Sequence, residues 1–324
     1  MSIIQAIILG IVQGITEFLP VSSSGHLAII QNIFHIQTDG GLFFDVMLHL
    51  GTLVAIFVVY RKDILRMIVE TVNMCGDIIY NLKSYIQNQR SYSALRYRKI
   101  VKNNYRKFVV LVLVSTIPTG IIGYIGKGMV EKASATLIVP GICLILTSIL
   151  LVVSEKTPNG KKIPKDINYR SGFLIGAAQG CATLPGLSRS GTTIAACLMS
   201  GYDRRFAVRY SFIMSIPAIL GAAVLEIKDL GSEAITGGIV LNGLIGAIVA
   251  GCVGYVCIKT MLTVVRKKKF YGICDLLFCS RSDCNHCKLP GITESILQRN
   301  VLYAKRLLRY EFCNSFLLWR PRIS

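Results

Sequence analysis

Within an apolar N-terminal run of Ile, Leu and Ala lies the stretch Gln13-Gly14-Ile15-Thr16-Glu17-Phe18-Leu19-Pro20-Val21-Ser22-Ser23-Ser24-Gly25-His26. It recurs in outline far downstream, as Gln179-Gly180-Cys181-Ala182-Thr183-Leu184-Pro185-Gly186-Leu187-Ser188-Arg189-Ser190-Gly191-Thr192-Thr193. Both copies open on Gln-Gly, hold Leu-Pro in the middle and close on a Ser-rich turn ending in Gly, and Gln13 is as far from Gly25 as Gln179 is from Gly191. Gln13 and Glu17, at i and i+4, share one face of a helix, which Pro20 and Gly25 then break where the hydroxyls begin. In lipid, broken backbone is tolerated only where it is buried in protein or lines a wet cavity. Two interrupted hydrophobic segments at corresponding positions of two halves point to a binding site where the repeats meet.

Of the 324 residues, 52% are hydrophobic and 16% charged, with a mean hydropathy of +0.56. That balance excludes an ordinary soluble domain and implies an all-α polytopic membrane protein. The net charge of +19 would suggest nucleic acid in a soluble chain. Here the bases fall in loops between apolar spans, which is the cytoplasmic bias of membrane proteins, so no nucleic-acid partner is expected. Eleven scattered cysteines form no secreted disulfide framework. The N-terminus lacks a basic n-region and carries Gln13 and Glu17 where a signal peptide is apolar, so cleavage is not expected.

The chain is expected to comprise a first repeat, 1–153, a second, 154–270, and a divergent basic tail, 271–324. The first repeat begins with a re-entrant hairpin over 2–34, whose arms are too short to cross a bilayer. Spans follow at 42–60, 108–125 and 136–153, with Pro118 kinking the second. A basic cytoplasmic loop, 61–107, contains an amphipathic surface helix from Ile64 to Leu82. The second repeat has a re-entrant hairpin over 172–201 and spans at 207–225 and 239–262. Three crossings separate the hairpins, so they enter from opposite faces as an inverted repeat.

These residues also resemble a family. Gln13 and Glu17 fit a [Glu/Gln]-x-x-x-Glu signature followed by Phe-Leu-Pro-Val-Ser-Ser-Ser-Gly-His, and Pro185 to Thr193 fits Pro-Gly-x-Ser-Arg-Ser-x-x-Thr. Over residues 1 to about 270 the chain resembles the bacterial undecaprenyl-diphosphate phosphatases, the membrane enzymes linked to bacitracin resistance. The resemblance implies six spans plus two re-entrant hairpins in the bacterial plasma (inner) membrane. It implies hydrolysis of undecaprenyl diphosphate to the monophosphate and inorganic phosphate, which recycles the lipid carrier for cell-wall synthesis. Relatives end with a last apolar span after the basic turn. Here Phe270 to Phe278 starts in that direction and then gives way to Cys279-Ser280-Arg281-Ser282-Asp283-Cys284 and a basic tail. So abrupt a change of composition reads as the product of a frameshift in preference to a genuine added tail, and a frameshift would leave the bundle without one wall.

Each site residue has a sharp and a bland reading. Arg189 offers a planar fork of donors at a helix start, flanked by hydroxyls and turn amides, which is how proteins hold phosphate oxygens. A snorkelling Arg would need neither Pro185-Gly186 before it nor Ser190-Gly191-Thr192-Thr193 after it. Ser24, Ser188, Ser190 and Thr193 are expected to share in phosphate binding, although hydroxyls in membrane hairpins also cap freed backbone. Glu17 and Gln13 are the expected ligands of a divalent cation, Mg²⁺ or Ca²⁺, because a diphosphate brings more charge than Arg189 alone compensates. The bland alternative for Glu17 is a neutral buried carboxyl. His26 is a candidate base, nucleophile or acid beside Ser22, Ser23 and Ser24, or else a buried ring bonded to a carbonyl. The resemblance implies that His26 and Ser23 both matter, without deciding which attacks phosphorus. Asp45 and His49 read equally as support for the site or as interhelical contacts. Cys274, Cys279, Cys284, His286 and Cys287 fit no standard zinc spacing. The expected substrate partner is an isoprenoid lipid diphosphate within membrane lipid, and a homo-oligomer is compatible with this reading. The rival from another class is a lipid or ion carrier on the same inverted-repeat scaffold, and a third is an inactive product with an altered C-terminus.

Overall fold

The computed structural model describes residues 1–34, 36, 41–91, 95–134, 138–229 and 236–266. Among them every named element is helical: α1 (Ile3–Thr16), α2 (Ser23–Ile33), α3 (Gly41–Val59), α4 (Arg61–Ser91), α5 (Asn104–Ser134), α6 (Ile138–Lys156), a 3-10 turn (Pro164–Asp166), α7 (Tyr169–Cys181), α8 (Arg189–Met199), α9 (Arg204–Asp229) and α10 (Gly237–Arg266). Five stretches among the described residues are long and apolar enough to cross a membrane: Gly41–Val59, Asn104–Val130, Val139–Lys156, Arg204–Glu226 and Gly237–Thr263. The chain is therefore an all-α, multi-pass membrane protein. The tail expected to diverge, 271–324, with its Cys and His residues, lies outside the described residues, as does any sixth span.

Both expected hairpins have a helix, a break and a helix, α1–α2 and α7–α8. Ser2 starts α1 with a capping box shared with Gln5, and Asn168 caps α7 by accepting from the Arg170 amide. Two elements are much longer than the sequence reading, while α9 and α10 outrun their expected spans, 207–225 and 239–262, by only a few residues at each end. The surface helix expected at Ile64 to Leu82 runs the whole of α4, because Arg61, Lys62 and the stretch beyond Leu82 are good enough helix formers to extend it once one face is covered. The span expected at 108–125 is the 31-residue α5, with Pro118 inside it. Hydropathy sees only the part of such a helix that is apolar, not its polar ends.

The hairpins are built into the bundle by close backbone contact. The first arm, α1, lies on α10, while α7 lies on α5. At Gly14 a Cβ would sit 2.7 Å from the Ala250 carbonyl oxygen. At the corresponding Gly180 it would sit 2.7 Å from the Ile122 Cβ. Small residues let helices approach this far where lipid supplies no hydrophobic drive of its own. Helix α3 also packs on α10, and α6 packs on α8. An aromatic cluster fills the space beneath the hairpin tips. Phe18 meets Phe212 edge-on at 5.4 Å between centroids, and Phe206 stacks on Tyr210 at 5.7 Å. Phe18 is fully buried, so the residue next to Glu17 is pinned and the carboxylate has little freedom to wander.

Candidate active site

The two hairpin tips touch. Ser190 Oγ donates to the Leu19 carbonyl at 3.3 Å, a Cβ on Gly25 would lie 3.6 Å from Gly186 Cα, and one on Gly191 would lie 3.1 Å from Pro20 Cβ. Gly186 has φ +86° and presses on the Pro140 backbone of α6. A side chain there would be both strained and obstructed, so the second tip depends on glycine at this position.

Corresponding residues of the tips do the same local work. Ser22 caps α2 by accepting from the Gly25 amide at 3.4 Å, and Ser188 caps α8 by accepting from the Gly191 amide at 3.1 Å. In both turns the capping hydroxyl lies 3.3 Å from that of the serine two residues on, Ser24 or Ser190. Ser22 adopts φ 68°, the only positive φ outside glycine among the described residues, and a strained residue of this kind typically marks a functional turn.

Between these caps the corresponding positions carry Ser23 and Arg189, and both reach Glu17. Ser23 Oγ donates to Glu17 Oε2 at 2.7 Å, and the Arg189 guanidinium donates to Oε1 in a close ion pair. Gln13 Nε2 donates to Oε2 at 3.2 Å and lies 2.9 Å from His49 Nδ1, which is itself 3.7 Å from Oε2. A single buried carboxylate is thus held by Gln13, Ser23 and Arg189, from α1, α2 and α8, while His49 of α3 accepts from the same Gln13 amide. Arg189 keeps 25% of its side chain exposed while Glu17 keeps 5%, so the guanidinium is the member of the pair that an incoming anion can reach.

His26 Nδ1 lies 2.8 Å from the Ser22 carbonyl. The carbonyl can only accept, so Nδ1 carries the proton and Nε2 presents a lone pair, buried and without a hydrogen-bond partner. Thr193 sits deeper. Its hydroxyl donates back to the Arg189 carbonyl at 2.8 Å and lies 2.5 Å from Ser211 Oγ, which makes it a brace for the tip rather than a donor aimed outward. Ser188 is also engaged, its amide donating to Thr147 Oγ1 on α6 at 3.0 Å. A cleft lined by Glu17, Phe18, Arg189, Ser190, Ser211, Phe212 and Ser215 opens beside the ion pair.

Sequence reading did not single out Thr147, Ser211 or Ser215. Ser211 and Ser215 are i and i+4 hydroxyls within an apolar span, and that spacing was the available signal. His49 joins the group through Gln13, accepting from its Nε2. Asp45, one turn earlier, has Oδ1 buried and without a hydrogen-bond partner.

The oxygens offered to a cation are few. No group of three or more His, Cys, Asp or Glu side chains is gathered among the described residues, and both oxygens of Glu17 are engaged. Gln13 Oε1 is buried beside them and without a partner. One carboxylate and one amide oxygen do not make a closed protein cage. They fit a hard cation that takes most of its ligands from phosphate and water, as Mg²⁺ commonly does.

The family model described as bacitracin resistance protein BacA matches residues 6–277. An undecaprenyl-diphosphatase of Alkaliphilus metalliredigens is 40% identical over 272 residues, covering 84% of this chain and 93% of the relative. One from Methanobrevibacter smithii is 42% identical over 270 residues, covering 83% and 91%.

Proposed function

The chain belongs to the bacitracin resistance protein BacA family, and on that premise we propose that it is an undecaprenyl-diphosphatase, a membrane hydrolase that releases inorganic phosphate from the lipid diphosphate within the bilayer. The observation that carries this reading is the convergence of Ser23 and Arg189, from the two hairpin tips, onto the one Glu17 carboxylate. We read the two halves as inverted repeats whose capping serines match while the positions just after them have diverged, Ser23 contributing a hydroxyl and Arg189 a guanidinium.

In the proposed reaction the diphosphate draws Arg189 away from Glu17. The planar fork then binds phosphate oxygens bidentately, with Ser24, Ser188 and Ser190 as further donors around it. Glu17 Oε1 is thereby released, while Oε2 keeps the Ser23 hydroxyl. Ser23 Oγ attacks the terminal phosphorus and its proton passes to Glu17. The anhydride bond breaks, and undecaprenyl phosphate departs with the bridging oxygen. Water then attacks the phosphoserine with His26 Nε2 accepting its proton, Glu17 returns the first proton to the departing Ser23 Oγ, and free phosphate leaves. Gln13 Oε1 and Glu17 Oε1 are the oxygens that would hold Mg²⁺ or Ca²⁺. Such an ion supplies neutralisation of the phosphate charge. Apolar surfaces of the hairpins and spans hold the isoprenoid tail.

The rival is a carrier that binds and releases the same anion. Purified protein in lipid or detergent, given undecaprenyl diphosphate, is expected to form inorganic phosphate. His26→Ala is expected to abolish this while binding of the lipid diphosphate persists, since the binding charge belongs to Arg189 and the cation. Lipid movement without any phosphate formed by the parent protein would decide for the carrier.

A further inference from the structure

Helix α4 has three acids, Asp63, Glu70 and Asp77, spaced every seven residues on one line. Each is satisfied from inside the molecule. Asp63 accepts from Tyr105 OH at 3.0 Å and from Arg209 Nη1 at 3.2 Å. Glu70 accepts from Arg106 Nε and from Asn103 Nδ2, both at 2.9 Å. Asp77 accepts from Arg106 Nη1 at 2.6 Å and Lys102 Nζ at 2.7 Å. The extended segment that precedes α5 continues along the same line, with Asn81 bonded to the Arg98 backbone and Asn88 to that of Leu95.

The opposite side is bare. Leu65, Ile68, Val72, Ile79, Leu82 and Ile86 are all exposed, at alternating spacings of three and four that Cys75 completes. Val69 and Ile78 flank this line and are exposed too. Counted on the seven-residue repeat, at about 103° per residue, the arc covers about 150° of the helix, wider than the narrow seam of a two-stranded coiled coil. The charges bordering it are all basic: Lys62, Lys83 and Arg90 are exposed along one edge, multiples of seven residues apart, with Arg66 beyond them. A broad apolar arc edged by bases alone is complementary to an anionic lipid surface. Position agrees, since only Tyr60 separates α4 from span α3 and α4 is tied to the first turn of span α5.

We propose that α4 is an interfacial helix, lying in the headgroup boundary of an anionic leaflet with this arc in the acyl region, and that the 95–106 segment serves to cover its acids. The lipid partner is separate from the substrate, and nothing in the catalytic reading requires it.

The test uses the full chain with every cysteine but Cys75 replaced by Ala, spin-labelled at Cys75. Companion proteins carry the label through Ile68→Cys or Ile79→Cys on the arc and through Asn73→Cys off it. Each is reconstituted in phosphatidylcholine vesicles with and without phosphatidylglycerol. Collisions with oxygen are expected to exceed those with a water-soluble nickel chelate at 68, 75 and 79 and to fall below them at 73. The ratio is expected to shift further toward oxygen with phosphatidylglycerol, and the triple replacement Lys62→Gln, Lys83→Gln, Arg90→Gln should lose that shift. Nickel access at all four positions would overturn the proposal. So would dipolar broadening that marks a second copy on this face, or burial indifferent to the anionic lipid.

Discussion

Arg189 donates to Glu17 in this structure, and its use in catalysis requires that contact to be exchanged for phosphate. Lys at position 189 would keep the charge and lose the fork. Arg189→Lys is therefore expected to lower phosphate release by about 10²–10³-fold, the usual scale for one transition-state donor, with helix content unchanged by circular dichroism. Near-normal release would remove Arg189 from the site. Chelation is expected to abolish release, and added Mg²⁺ or Ca²⁺ to restore it in the parent but not in Glu17→Ala. Full activity in chelator would leave Glu17 as a proton acceptor only. Gln13, Glu17, Ser23, His26 and Arg189 were legible in the sequence because a polar group in an apolar run has to be explained. The direct contact of Arg189 with Glu17 was not, since 172 residues separate the pair and no periodicity reaches so far. Thr193 carried the same signal as Ser190, yet its hydroxyl turns inward to Ser211, an outcome set by packing.

Among the elements, the strap along α4 carries a pH dependence of definite sign. Hydrogen bonds from Lys102 and Arg106 pull the Asp77 carboxyl down to about 2. The Arg106 guanidinium, followed by Asn103, also lowers Glu70. A carboxyl lowered by folding stabilises the structure above its unfolded value and loses that contribution as pH falls through the folded one. The strap is thus expected to stay in place from neutral pH down to about 4, near the ordinary carboxyl range. It should release between there and about 2, seen as increased mobility of a spin label at Lys99→Cys; release already at pH 6 would refute the assignment. Close packing gives a second prediction. Gly14→Leu is expected to destabilise by about 1–3 kcal/mol through overpacking against Ala250 and Val253. Gly76→Ala has no atom within 4 Å to meet and should not, which a thermal unfolding series in detergent would check. Helix existence was readable from the length of the apolar runs and, for α4, from its amphipathic pattern. The lengths of α4 and α5 were not, because hydropathy does not register polar helical turns, such as the first turn of α5, which is tied to α4 through Tyr105 and Arg106.

For the whole molecule, the joining of the two hairpin tips is the contact on which everything else depends. Leu19→Cys and Ser190→Cys, placed together in a background free of native cysteines, are expected to be joined by a short crosslinker, since the native hydroxyl and carbonyl are in hydrogen-bond contact. Absence of crosslinking in protein that hydrolyses its substrate would show that the tips work apart. The exchange of partners, α1 on α10 and α7 on α5, was only half visible in advance. The repeated motif announced two similar units, but not that each hairpin's first arm would pack against a helix far away in sequence.

That arrangement has a consequence for how the protein is made. Glu17 leaves the ribosome 172 residues before Arg189, and at about 5–20 residues per second the carboxylate waits roughly ten to thirty seconds for its guanidinium. In that interval its company is Gln13, Ser23 and, later, His49, all delivered by the first three helices. The first hairpin is thus born with its own provisional hydrogen-bonding set, and α10, on which its arm will finally rest, emerges last of the described helices. Closure of the clasp is a late event of biogenesis, and a nascent chain stalled before α8 has the acid in place but not the base that holds the phosphate.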